Sequence, residues 1–168
     1  MKSEERFFHC GDFLRETLAS ELREIRAAVD GVPWASSFSL EVRGRLLEHQ
    51  AAYNEALERE FLRRGWEAQP LLRSKPNLKG DFRKGLVFVE VQFGNSSTLY
   101  RDYYKFQYGH AHGLLSLAVL IVPVEPSAFF PTRPRSVGNM AEFALADRCL
   151  TVLPIRVPTM LIGLMHGG

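Results

Sequence analysis

Asp81 and Glu90 stand nine residues apart, with Gln92 two positions further on. Glu90 lies in Leu86-Val-Phe-Val-Glu-Val-Gln-Phe93. A period of two there puts Leu86, Phe88, Glu90 and Gln92 on one face of a strand, and Val87, Val89, Val91 and Phe93 on the other. The first face begins apolar and turns polar toward its end, as a strand does when it leaves a core and enters a cleft. Residues 80–84 predict a preceding strand or hairpin arm with its turn at Lys84-Gly85, so folding the hairpin brings the two carboxylates to one sheet edge. Hard divalent cations such as Mg²⁺ take one or two carboxylates and complete their shell with water and phosphate oxygens. A cation held in this way polarises a phosphate ester, activates water and stabilises a leaving oxygen. The Val91 carbonyl, pointing sideways between Glu90 and Gln92, offers another hard oxygen. A hairpin Asp and a strand Glu that bind nothing are the plainer account of the spacing. Against it, consecutive inward polar side chains on an apolar strand are costly unless satisfied.

The surrounding pattern predicts the elements that carry these residues. Leu14, Leu18, Leu22 and Ile25 recur at helical spacing over 13–29, with Asp12 as N-cap and Gly31 as stop. A loop follows over 31–37. A second helix is predicted over 40–64, ended by Gly65, then an edge strand over 66–69 cut off by Pro70. Gly94-Asn95-Ser96-Ser97 offers a helix start, and 97–110 reads as a Tyr-rich helix. Residues 114–124 form a nearly uninterrupted apolar run, which predicts a central strand. Residues 125–135 hold three prolines and read as a long ordered loop. A helix over 137–147 and short strands near 150–153 and 159–164 complete the expectation. The fold class is α/β: a mixed central β-sheet flanked by helices, in one domain over 1–168. A helical part covers about 1–64 and the sheet core about 65–165.

Composition narrows the class of protein. With 46% hydrophobic and 24% charged residues, the 168-residue chain can bury a core without disulfides or a structural metal. Cys10 and Cys149 lack the spacing of a zinc or redox pair and fit a reducing cytosol. The charged N-terminus has no apolar signal segment, and the longest apolar run is too short to span a bilayer, so a cytoplasmic protein with no membrane partner is expected. The net charge of +2 is unevenly spread. Residues 1–60 hold eight Lys/Arg against twelve Asp/Glu, residues 61–110 nine against four, and residues 111–168 four against three. A basic middle segment can attract phosphates; a solvated basic face accounts for the same charge.

At this point the residues carry a resemblance. Gly80-Asp81-Phe82, followed by Glu90-Val91-Gln92-Phe93-Gly94-Asn95, resembles the active-site segment of the BglII/BstYI-type restriction endonucleases. These form a branch of the PD-(D/E)xK nuclease fold in which Gln stands where relatives carry Lys. The approach Phe61-Leu-Arg-Arg-Gly-Trp66, the segment Tyr100-Arg-Asp-Tyr-Tyr-Lys-Phe-Gln-Tyr108 and the closing Ala144-Leu-Ala-Asp-Arg-Cys-Leu-Thr-Val-Leu-Pro154 are similar too, so the likeness spans most of 50–164. It implies a restriction-endonuclease-like core and a Mg²⁺-dependent type II endonuclease that hydrolyses double-stranded DNA, at a palindrome and as a homodimer. Asp81 would be the main metal ligand, with the Val91 carbonyl beside it. Glu90 would bind metal directly or through water, and Gln92 would align the attacking water. A neutral amide is a poor general base, so the water's proton must leave by another route.

Asn95, Ser96 and Ser97, at a helix N-terminus, can receive a phosphate on backbone N–H groups, and Arg101 and Lys105 are further phosphate candidates. Arg133, Arg135 and Asn139 have side chains suited to base edges, though a Pro-stiffened surface loop with stray Arg explains that loop equally well. The Tyr-rich helix and the 137–147 helix are the candidate dimer interface. A partner DNA methyltransferase is possible on this reading. The chain is shorter than typical enzymes of the branch. A rival reading is therefore a non-catalytic DNA-binding or regulatory protein on the same fold, and a more remote one an RNA-processing nuclease. His110 and His112 could share a zinc ion, but no third ligand lies near, and a helix-end His is the simpler account. Neither a GxSxG, a P-loop nor a GxGxxG is present.

Overall fold

The computed structural model describes residues 2–35, 37–133 and 137–166. Six strands form one mixed sheet. They are β1 (Ser3–Phe8), β4 (Glu67–Ala68), β7 (Phe82–Lys84), β8 (Val87–Val91), β9 (Leu117–Pro123) and β10 (Thr159–Leu164). Their spatial order is β1-β10-β9-β8-β7-β4. The pairs β8/β9 and β9/β10 are parallel, and the remaining three pairs are antiparallel. Central β9 is buried at every residue, as its continuous apolar run requires.

Alternation along the strands sorts side chains into two cores. Val87, Val89, Leu117, Val119 and Ile121 pack with Leu22 and Ile25 of α2 (Ala19–Gly31) and with Tyr53, Leu57 and Phe61 of α3 (Gln50–Arg63). Phe88, Ala118, Leu120 and Val122 pack on the opposite face with Leu99, Tyr103 and Phe106 of α4 (Thr98–Ala111). Ala146, Cys149 and Leu150 of α6 (Phe143–Val152) join that second core. The sheet is therefore sandwiched between helical layers. The Trp34 ring packs among those of Tyr53, Phe93, Phe129 and Phe130, with ring centroids 5.1–6.0 Å away. The two antiparallel hairpins β2/β3 (Ser39–Val42, Arg45–Glu48) and β5/β6 (Leu71–Arg73, Leu78–Lys79) stand outside the main sheet.

Several boundaries differ from the sequence expectation, each for a local reason. Strand β1 was not expected, since its exposed polar residues hide its pairing with β10. The first helix is two, α1 (Asp12–Thr17) and α2, separated at Leu18, and its N-cap is Gly11, while Asp12 pairs with Arg15 inside the first turn. Residues 40–48 are the β2/β3 hairpin rather than helix. Arg43 and Gly44 both adopt positive φ, 53° and 74°, which is the backbone of a two-residue hairpin turn. Helix α3 starts only at Gln50, where the His49 ring accepts the Ala51 N–H at 3.1 Å. The helix expected over 137–147 begins at Phe143, because 139–141 is tied to another segment. Ser96 N–H donates to Asn139 O at 2.7 Å, and Ala141 N–H to Gly94 O at 2.8 Å. Residues 150–152 consequently belong to α6, not to a strand. Within the described part of the proline-rich stretch, Pro126–Phe129 form a short helix, α5. Among the described residues no helix is long and apolar enough to cross a membrane.

Candidate active site

The hairpin register explains the spacing of the acidic pair. Phe82 lies opposite Val89 in the antiparallel β7/β8 pair, so one step further places Asp81 opposite Glu90. Directly opposed residues of antiparallel strands share a face. The strand ends hold the pair in place: Asp81 N–H donates to Val89 O at 3.3 Å, and Gln69 N–H donates to Asp81 O at 2.8 Å. The side chain is fixed as well, since Val91 N–H donates to Asp81 Oδ2 at 2.7 Å. Gly80 allows the approach, because a Cβ there would lie 2.0 Å from the Phe88 ring.

On the helix-α4 side, Glu90 meets charged partners. Lys105 Nζ lies 2.6 Å from Glu90 Oε1 and 2.9 Å from Asp102 Oδ1. Neither oxygen receives an aligned hydrogen bond, so these contacts act as ion pairs. Gln92 Nε2 donates to Asp102 Oδ2 at 2.7 Å, while Gln92 Oε1 accepts the Gly94 N–H, also at 2.7 Å. Asp102 is fully buried, and Glu90, Gln92 and Lys105 are each at most 9% exposed.

Two carboxylates thus share one ammonium, and Asp81 lies within its field. Burial, followed by the repulsion of Asp81, holds Glu90 well above the ordinary carboxylate pKa despite Lys105. Burial also raises Asp81, with the Val91 N–H and Lys105 pulling the other way. Burial disfavours the Lys105 ammonium, but Glu90 and Asp102 outweigh it and push its pKa up. Such opposing demands on neighbouring groups are common where chemistry is done.

Asp81, Glu90, Val91, Arg101 and Lys105 line one cavity of about 360 Å³, with Lys79 also on its wall. The donor set fits a hard cation. Asp81 Oδ1 accepts no hydrogen bond among the described residues, Val91 offers its carbonyl, and the Glu90 carboxylate, ion-paired to Lys105 through Oε1, lines the same cavity. No group of three His, Cys, Asp or Glu suited to a metal occurs among the described residues.

The other sequence candidates fall into two places. Arg101 is exposed at the cavity, while Lys105 is buried at its wall in the ion-pair cluster. Asn95, Ser96 and Ser97 precede α4 as expected, and Asn95 Oδ1 accepts the Ser97 N–H at 2.9 Å. A second hollow, of about 190 Å³, brings Asn95, Arg133 and Asn139 together with Gln50. Arg133 donates to Glu48 O at 3.2 Å and covers the Phe130 ring. Arg135 lies outside the described residues. His112 stacks on Tyr108 at the end of α4, its Nδ1 2.8 Å from Tyr108 O, in keeping with a helix-end His. Sequence reasoning missed Asp102. The available signal was its place with Leu99, Tyr103 and Phe106 on one helix stripe, where a charge needs a partner.

The family described as Restriction endonuclease BglII/BglIII matches residues 3–164. "Crystal structure of restriction endonuclease BGLII complexed with DNA 16-mer" superposes with TM-score 0.78 at 20% identity, covering 99% of this chain and 78% of that one. "Crystal structure of free BglII" gives TM-score 0.69 at 21% identity, covering 99% and 81%. No curated protein matches by sequence. The chain belongs to the BglII/BglIII restriction endonuclease family, and with it to the type II, site-specific deoxyribonucleases.

Proposed function

We propose that the chain is a Mg²⁺-dependent endonuclease that cuts both strands of a palindromic DNA site as a homodimer. The observation that carries this reading is Asp81 set opposite Glu90 at a cavity also lined by Val91 and Arg101. Asp81, Glu90 and the Val91 carbonyl would hold the metal. Bound there, Mg²⁺ would polarise the scissile phosphate, favour hydroxide from water and offset charge on the leaving oxygen. Arg101 and Lys79 give the cavity positive charge for the phosphates on either side. Hydrolysis adds water across one P–O bond. Oxygen joins phosphorus, the P–O bond to the leaving sugar oxygen breaks, and the water's protons pass to that oxygen and to solvent.

Base recognition is assigned to the hollow formed by Asn95, Arg133 and Asn139. The bridge between Asn95 and Met140 ties this hollow to the segment leaving β8, and so to the catalytic strand. A two-fold pair of such sites matches a two-fold DNA sequence. Tyr100 and Tyr104 are 59% and 52% exposed on one side of α4, which makes that face the proposed dimer contact. An enzyme of this kind would act in the cytoplasm beside a DNA methyltransferase that protects the same sequence.

The experiment is digestion of plasmid and genomic-length DNA with Mg²⁺, with EDTA and with the Asp81→Ala variant. Discrete fragments that need Mg²⁺ and vanish in the variant support the reading, and sequencing their ends gives the site. Retarded DNA on a gel without cleavage, in Mg²⁺ and in Mn²⁺ alike, moves the assignment to a binding protein on a nuclease fold.

A further inference from the structure

Gln92 occupies the strand position from which a side chain should reach the attacking water, yet both ends of its amide are already committed. Its Nε2 is given to Asp102 and its Oε1 to the Gly94 N–H, each at 2.7 Å, and the residue is 9% exposed. An amide carries no positive charge to offer a phosphate. A charge is nevertheless present at the site. Lys105 reaches it from α4, 4% exposed at its side chain, with Nζ 2.6 Å from Glu90 Oε1. Asp102 grips the same ammonium at 2.9 Å and is in turn gripped by Gln92.

We propose that Lys105 is the catalytic cation of this site, brought in from α4 instead of from the β8 strand, and that Gln92 is a positioning residue acting through Asp102. The inference rests on the nuclease reading. The polar chain runs without a gap from the Gly94 N–H through Gln92 and Asp102 to Lys105 and Glu90. An ammonium has three N–H donors. Glu90 and Asp102 hold it at ion-pair distance without either oxygen receiving an aligned hydrogen bond, which leaves N–H groups for the cavity that Lys105 lines together with Asp81 and Val91. A phosphate oxygen or the attacking water at the metal would receive one.

The two roles predict effects that a purely structural ion pair would not produce. Lys105 repels a cation and competes with it for Glu90. Lys105→Met and Lys105→Gln should therefore bind Mn²⁺ several-fold more tightly than wild type in calorimetric titrations without DNA. The same variants should cleave about 10²–10³-fold more slowly while binding DNA in Ca²⁺ within a few-fold of wild type. Lys105→Arg should recover part of the rate. In a double-mutant cycle, Gln92→Leu combined with Lys105→Met should be no slower than Lys105→Met alone, because Gln92 acts through the lysine.

Thermal melts identify any variant that fails to fold, and the Gln and Arg variants then stand in for Met. Wild-type cleavage rates in Lys105→Met, weaker Mn²⁺ binding, or multiplicative losses in the double variant would overturn the proposal and leave the nuclease reading intact. A wild-type protein inert in Mg²⁺ and Mn²⁺ removes the nuclease reading and with it the catalytic role of Lys105. The metal titration then still decides whether its ammonium opposes a cation at Glu90.

Discussion

Strand β8 presents two different environments within five residues. Toward α2 and α3 it turns Val87 and Val89, fully buried among Leu57, Phe61 and other apolar side chains. Toward α4 it turns Phe88, also fully buried, and then Glu90, which meets Lys105 and Asp102 instead of more hydrocarbon. The first face lowers the free energy of the fold by removing apolar surface from water. The second spends some of that stability, because it keeps like charges close together and out of water. Their difference separates what holds the sheet together from what it is held together for.

The largest test of this contrast is Asp81→Asn. It keeps an oxygen for the Val91 N–H but removes the charge proposed to bind the metal, so cleavage should fall by about 10³-fold or more, given the several kcal/mol a metal supplies. The metal-free variant should nevertheless melt a few degrees higher than wild type, because repulsion with Glu90 is relieved. A loss of activity with a lower melting temperature would remove the distinction between the two faces.

On the apolar side, Phe61→Ala should do the opposite. Phe61 is fully buried and stacks on Phe82, the residue after Asp81, at 4.3 Å between centroids. Its truncation should cost about 3–5 kcal/mol in denaturant unfolding. The folded fraction should still cleave within about tenfold of wild type, a looser bound that allows for strain passed to Asp81.

Much of this contrast was legible in the residues. The alternation over 86–93 fixed both faces of β8, and the nine-residue spacing with a turn at Gly85 put the two carboxylates opposite each other. The apolar run that became β9 identified the sheet's centre. What escaped depends on long-range pairing. β1 is polar and exposed, so only its partner β10, some 160 residues away, makes it a strand. The β2/β3 hairpin looked helical because its few leucines fit either period, and the decisive feature was backbone conformation at Arg43 and Gly44. Lys105 and Arg101 looked alike as charges on one helix. Only the direction each takes around α4 sends one into the buried cluster and leaves the other exposed.

A third effect is a pH dependence confined to the polar face. Glu90 and Asp81 both hold protons more tightly in the folded chain than when unfolded. Their stabilising contribution is therefore complete below the ordinary carboxylate range, around pH 4, and is lost as pH rises through their raised folded values. Metal-free protein should accordingly melt progressively lower across that window. Saturating Mg²⁺, which binds the ionised forms, should flatten the dependence, and cleavage should rise with pH over the same range. Melting curves that are pH-independent without metal would show that the two carboxylates are not held as described.

The smallest effect concerns the outside of α4. At the proposed dimer contact, Tyr104→Glu should give monomer in sedimentation where the wild type gives dimer, with little change in melting temperature, since Tyr104 is half exposed. DNA nicking by the monomer should outlast double-strand cutting.

The most direct test of the account is anomalous scattering from Mn²⁺ in crystals of the protein with its DNA. The account predicts a metal peak bonded to Asp81, Glu90 and the Val91 carbonyl, with a phosphate oxygen in the same shell. An active enzyme whose metal lies elsewhere, with Asp81 and Glu90 unliganded, would contradict it.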